Sequence, residues 1–146
     1  MRKSLEGKVA IVTGSGQGIG KGIALVLARE CARVITNNRK PNAQKEAVDL
    51  SILDETARAK HAANEINASS GEAIPFYGNV ADYETAGKLI QTAIDQWGRI
   101  DILVNNAVGL GAGTLNDTSE ADWDYQTIPK LKGSYNTMKH SIPHMI

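Results

Sequence analysis

The sequence predicts an α/β protein built on a doubly wound parallel sheet with helices on both faces. Three observations carry that expectation. Short β-branched runs alternate with stretches whose apolar residues recur at helical spacing. The first strand, helix and strand fit within about 30 residues, the span of a right-handed βαβ crossover between parallel strands. The first run then breaks into Thr13-Gly14-Ser15-Gly16-Gln17-Gly18-Ile19-Gly20, a glycine turn that leads straight into a helix.

In chain order, Lys8 to Thr13 forms the first strand and Gly18 to Glu30 the first helix, with Ile19, Ile23, Leu27 and Cys31 on its buried face. Arg33 to Asn38 is the second strand. The connection from Lys40 to Ser70 is enlarged: Pro41-Asn42 breaks the chain, Leu50 to Leu53 packs locally, and Asp54 to Ala68 forms a charged helix over the sheet edge, ended by Gly71. Ala73 to Tyr77 is the third strand, confined to an edge because Pro75 cannot donate to a ladder. Asp82 caps a helix that runs to Trp97 and ends at Gly98. The nearly all-apolar run Ile100 to Val104 reads as a central fourth strand. A loop from Gly109 to Asn116 follows. A capping box, Ser119 with Asp122, then opens a last helical region towards Ile146, interrupted at Pro129.

Composition bounds the function. The 146 residues are 42% hydrophobic, enough for one domain with a substantial core, and 16 basic residues balance 16 acidic ones. Zero formal charge speaks against a nucleic-acid or anionic-membrane surface. No apolar run reaches membrane-spanning length, and no signal-peptide core precedes the first strand. The single Cys31 suits a reducing cytoplasm and reads as a packing residue. No metal site is expected.

The glycine turn carries the chemistry. Glycines admit positive φ and let a ligand approach with no Cβ in the way. The helix behind them presents N–H groups and the positive end of its dipole. In such a unit the usual anion is a dinucleotide pyrophosphate. The spacing is not G-x-G-x-x-G, because Ile19 and Lys21 stand where the third glycine would fall; nor is it a P-loop, because Ser15 and Gly22 break that pattern. It fits T-G-x-x-x-G-x-G through Thr13, Gly14, Gly18 and Gly20. After the second strand, where an acid would hold a ribose 2′-hydroxyl, the chain reads Asn37-Asn38-Arg39-Lys40. Arg39 can clamp a 2′-phosphate bidentately, so NADP(H) is expected in preference to NAD(H). Gln17 adds no second cation.

Over its whole length the chain resembles the short-chain dehydrogenase/reductase family. The resemblance rests on the glycine turn, Asn79-Val80, Asn105-Asn106-Ala107-Val108, and the segment from Trp123 to Gly133. It implies a Rossmann-like fold and hydride transfer between nicotinamide and a small alcohol or carbonyl substrate. It also implies a homo-oligomer, dimer or tetramer, for the full-length protein. The implied cofactor site comprises Gly14, Ser15, Gln17, Gly18, Ile19, Arg39, Asn79, Val80, Asn105, Ala107 and Val108, with Asn79 and Val80 bracketing the adenine and Asn105 with Ala107 along its ribose.

The chain departs from the family pattern at three places. Asn79 replaces an acid, Val108 replaces a glycine, and Lys130 stands at the position of a catalytic Asn. In the family the catalytic Ser and Tyr-x-x-x-Lys follow the last helix, so they are expected beyond Ile146. Tyr135-x-x-x-Lys139 lies inside that helix and reads as a packing tyrosine and an outward lysine. The expectation is therefore the cofactor half of an oxidoreductase, truncated after the fourth strand and its helix and inactive alone. The alternative is a non-catalytic NADP(H)-binding module or subunit.

Overall fold

The computed structural model describes residues 4–39 and 57–146. Its elements alternate: β1 (Val9–Val12), α1 (Gly18–Arg29), β2 (Arg33–Asn38), α2 (Arg58–Ala68), β3 (Glu72–Tyr77), α3 (Tyr83–Trp97), β4 (Ile102–Val104) and α4 (Glu120–Met145), with a 3-10 turn at Leu115–Asp117. The four strands form one sheet in the order β3-β2-β1-β4, every pairing parallel. Ile11 lies opposite Ile35 of β2 and Leu103 of β4. Readings that fall on residues 40–56, including the break at Pro41, the packing of Leu50 to Leu53 and a helix start at Asp54, lie outside the described residues.

Alternation along β1 feeds two cores. Ala10 and Val12 face Ala24 and Ala28 of α1 and Ala63 and Ile66 of α2. Val9 and Ile11 face Leu89, Ile90 and Ala93 of α3 on the other side. Helices thus cover both faces, and the edge position of β3 accommodates Pro75. Three caps also form as their residues dictate. Asp82 accepts from the Thr85 N–H at 2.8 Å, Gly98 takes φ +74, and Ser119 Oγ accepts from the Asp122 N–H at 3.1 Å. Among the described residues no helix is long and apolar enough to cross a membrane.

Five local expectations are corrected. The buried stripe of α1 runs through Gly20, Ala24 and Ala28; Ile19 is 78% exposed, with Ile23 and Leu27 half-buried beside the stripe. Small residues let α1 lie close to the sheet, which turns the larger ones aside. The strand β4 is not central but lies at the outer edge of the described sheet. Its apolar residues answer the two helical layers, Ile102 and Val104 on one face and Leu103 on the other, and that cover is independent of edge position. Pro129 does not interrupt α4, which is one helix with Pro129 and Pro143 inside it. Pro129 has no N–H for the Tyr125 carbonyl, and the backbone of Gly109 packs there, where a Cβ would fall on the oxygen. Tyr135 is 56% exposed rather than packed, because α4 buries Gly133, Asn136, Thr137 and Ser141 instead. Finally, α2 turns off through Ser70 at φ +65, while Gly71 keeps a Cβ away from Ile66.

One carboxylate ties the amino-terminal ends of β1 and β4. Asp101 accepts from the Val9 N–H at 2.9 Å, from Arg99 at 2.8 and 2.5 Å, and from Lys8 at 3.3 Å. The Arg99 hydrogen bonds, aided by Val9 and Lys8, hold its pKa down to about 2. A folded-state pKa below the unfolded value gives stability that is present above the unfolded value and lost as pH falls through the folded one. Acid unfolding followed by circular dichroism is therefore expected to steepen as pH falls from about 4 to about 2. Asp101→Asn should be less stable at neutral pH and lack that acid limb.

Candidate functional site

The carboxyl edge of the sheet is organised around Thr13 and Asn106, at the ends of β1 and β4. Thr13 Oγ1 accepts from the N–H groups of Asn106 and Ala107, both at 3.0 Å, and donates to the Val104 carbonyl at 3.3 Å. The Asn106 side chain returns the contact, Nδ2 donating to the carbonyls of Thr13 and Gly14, both at 3.1 Å. The glycine turn is therefore pinned onto the strand end beside it. This closeness needs glycine at two places. Gly14 has φ +64 and a Cβ there would lie 2.9 Å from Ala107 Cα; one on Gly20 would lie 2.5 Å from the Gly14 carbonyl and overlap the Asn106 amide.

A second latch ties the turn to β2 and β3. The Ser15 N–H donates to the Asn37 carbonyl at 2.8 Å, and the Asn37 N–H donates to Ser15 Oγ at 2.9 Å. Asn37 is buried, and its Nδ2 donates to the carbonyls of Phe76 and Gly78, both at 3.2 Å, while Oδ1 accepts from the Gly14 N–H at 3.4 Å. The hydroxyl of Ser15 is buried in this latch, so the side chain shapes the turn from inside.

Held from both sides, the turn delivers the N-terminus of α1 to the edge. Gln17 is the N-cap residue and makes no side-chain capping bond, and the first turn contains no acid. Gly18 takes φ +56, with open space where a Cβ would stand. Gln17 and Ile19 are exposed at the mouth. A pyrophosphate fits this arrangement: N–H donors, the positive dipole end and no carboxylate in the first turn of the helix.

The remaining expected site residues surround that point. Arg39 is exposed after β2, its guanidinium 4.4 Å over the ring of Tyr125 in α4. Asn79 is exposed after β3, with Oδ1 accepting from the Ala81 N–H at 3.0 Å. The side chain of Val80 is buried in the core that contains Leu89, and a Cβ on Gly133 would lie 2.8 Å from its methyl. Asn105 and Ala107 are half-buried at the end of β4, and Val108 is half-exposed beside them. Beyond them a cavity of about 370 Å³ opens between Leu110-Gly111-Ala112 and Ala121, Asp122, Tyr125 and Gln126 of α4. The other cavity described, about 160 Å³ between the C-terminal ends of α1 and α2, lies away from this edge.

The helix α4 supports the same edge from below. Lys130 Nζ donates to the Asn105 carbonyl at 2.6 Å, and Thr137 Oγ1 lies at hydrogen-bond distance, 2.6 Å, from Asn105 Oδ1. Asn136, fully buried, donates to the carbonyls of Val80 and Ala81 at 3.0 and 3.1 Å. The sequence reading leaves Asn37, Asn136 and Thr137 out of the site. The available signal is a polar residue at a position where the period of a strand or helix points inward. Tyr135 and Lys139 are exposed on α4 and neither joins the edge.

Known proteins share this architecture. A family model described as short chain dehydrogenase matches residues 43–146. The chain is 37% identical over 145 residues to the peroxisomal multifunctional enzyme type 2 of Drosophila melanogaster, covering 96% of this chain and 22% of that protein. It is 33% identical over 142 residues to the 3-oxoacyl-[acyl-carrier-protein] reductase FabG of Thermotoga maritima, covering 97% and 52%. The crystal structure of a short chain dehydrogenase from Mycobacterium avium superposes with a TM-score of 0.81 at 37% identity, covering 96% of this chain and 46% of that one. The chain thus spans about half the length of the latter two proteins and about a fifth of the first. With the parallel sheet, the glycine turn and the Asn105-Asn106-Ala107 strand end all in place, the chain belongs to the short-chain dehydrogenase family.

Proposed function

We propose that this chain forms the dinucleotide-binding half of an NAD(P)-dependent oxidoreductase that transfers hydride between nicotinamide and a small alcohol or carbonyl compound, with NADP(H) preferred. The single observation that carries the reading is the uncapped N-terminus of α1, held at the carboxyl edge by Thr13, Asn106, Ser15 and Asn37. The N–H groups of that helix would hold the pyrophosphate, Asn105 and Ala107 would line the adenine ribose, and the cavity under Leu110 would admit substrate. The bound cofactor supplies the hydride chemistry; these residues bind, orient and enclose it. The preference for NADP(H) rests on Arg39 and the absence of an acid at residues 37–39.

Tyr135 and Lys139 lie exposed on α4, outside the hydrogen bonds that build the edge, which supports a chain that binds cofactor without turning substrate over by itself. The exposed residues Leu131, Tyr135, Met138 and Ile142 recur at alternating steps of four and three along α4, as an interhelical seam does, and support assembly with a second copy. A cytoplasmic site of action suits the single Cys31.

Fluorescence titration of the chain with NADPH and NADH tests the binding reading. Saturable binding of either dinucleotide is expected, without turnover of alcohol or carbonyl substrates by the 146-residue chain. Arg39→Asp should weaken NADPH about tenfold and NADH little, the scale of one lost charged phosphate contact. Equal loss of both would show that Arg39 does not read the 2′-phosphate.

A further inference from the structure

Lys130 is the residue of α4 that the family pattern leaves unexplained, and its surroundings give it a role. It shares one helix face with Gly133 and Thr137, at spacings of three and seven, and that face lies against the end of β4 and the segment after β3. From there Nζ donates to the Asn105 carbonyl at 2.6 Å, a bond assisted by the charge of the ammonium donor. Thr137 engages the side-chain oxygen of the same residue at 2.6 Å. Asn105 is therefore gripped at its backbone and its side chain by one helix, and the next two residues are those that bond Thr13 and pin the glycine turn.

The ammonium also carries charge. Four ion pairs join described residues, namely Lys8–Asp101, Lys21–Glu65, Arg33–Glu72 and Arg99–Asp101, and none includes Lys130. A lysine has three donors, of which the Asn105 carbonyl takes one. Its positive charge stands at the carboxyl end of β4, on the same sheet edge as the N-terminus of α1. Both features favour an anion there.

We propose that Lys130 is a positioning residue for the dinucleotide: it clamps Asn105 and so sets the turn that lines the cofactor, and its charge adds to the attraction of that edge for the phosphates. The inference rests on the dinucleotide reading above. A neutral amide at this place can hold the carbonyl but supplies no charge, so the chain relies on an electrostatic contribution where the family pattern has none.

The test compares Lys130→Met, which keeps the stem, and Lys130→Arg, which keeps the charge, with the unchanged chain. Dissociation constants for NADPH and NADH are read across a salt series, with thermal melting as the control. Lys130→Met should bind both dinucleotides roughly five- to twentyfold more weakly with little change in melting temperature, and its affinity should fall less steeply with salt. Lys130→Arg should stay within about threefold of the unchanged chain. Unaltered affinity and salt dependence in Lys130→Met would overturn the proposal while leaving the cofactor reading intact. Equal losses in both variants with lowered melting temperature would overturn it too, by showing that the lysine only supports the fold. Failure of the unchanged chain to bind either dinucleotide would sink the cofactor reading, and this inference with it.

Discussion

Gly20→Val is expected to raise the dissociation constant for NADPH by at least about tenfold and to lower the melting temperature by several degrees. A Cβ at this position would meet the Gly14 carbonyl at 2.5 Å and overlap the Asn106 amide, and both are fixed parts of the edge. Neither is the loose end of a flexible side chain. Asn106 is held by its two bonds to Thr13 and Gly14, and Gly14 by its backbone turn. Overpacking of this kind costs about 1–3 kcal/mol, and about 1.4 kcal/mol of lost binding is already a tenfold change. Gly22 supplies the control within the same helix. It has open space where its Cβ would stand, so Gly22→Ala should keep affinity and gain up to about 1 kcal/mol of helix stability. Thermal melts with and without NADPH separate the two sites. Wild-type affinity in Gly20→Val would mean that the turn can retreat from Asn106 without cost, and that the Asn106 latch does not shape the cofactor site.

The strands, the glycine turn and three caps were legible because each depends on a few neighbouring residues. A β-branched run followed by glycine needs no distant partner to become a strand end, and Asp82 caps a helix through a residue three places on. The failures are of another kind. Ile19 follows helical periodicity and Tyr135 a family pattern, yet both lie exposed, because Gly20, Ala24 and Gly133 bring their helices close and rotate the larger residues outward. Pro129 breaks a local rule without ending α4, and the backbone of Gly109, twenty residues earlier, packs at the Tyr125 carbonyl that the proline leaves without an N–H. The composition of β4 reports two helical layers and says nothing of which strands flank it. In the site, the residues that face outward were found through motif spacing, whereas Asn37 and Thr137 work by bonds to partners 41 and 32 positions away. No spacing rule within one element reveals such a bond.

Asn37 carries the largest expected stability effect of the site. Its amide is almost fully buried, donates to the carbonyls of Phe76 and Gly78 at 3.2 Å, and accepts from the Gly14 N–H. Asn37→Leu keeps the volume and removes every one of these bonds. Each buried polar group left unpaired costs about 1–3 kcal/mol, so an orphaned Gly78 carbonyl, a Phe76 carbonyl left with its ladder bond alone and a weakened turn should lower unfolding free energy by about 2–4 kcal/mol. That is a large share of a typical total of about 5–15 kcal/mol. Asn37→Asp is the sharper variant, because it keeps an acceptor for Gly14 but turns two attractive contacts into a carboxylate facing two carbonyl oxygens. In urea titrations both midpoints should fall with the slope unchanged, Asn37→Asp further than Asn37→Leu at neutral pH. Lowering the pH should narrow that gap, since protonation restores a donor and removes the buried charge. Equal midpoints for the three proteins would mean that water serves the freed carbonyls as well as the amide does. The tie between β2, β3 and the glycine turn would then have to come from the Ser15 backbone alone.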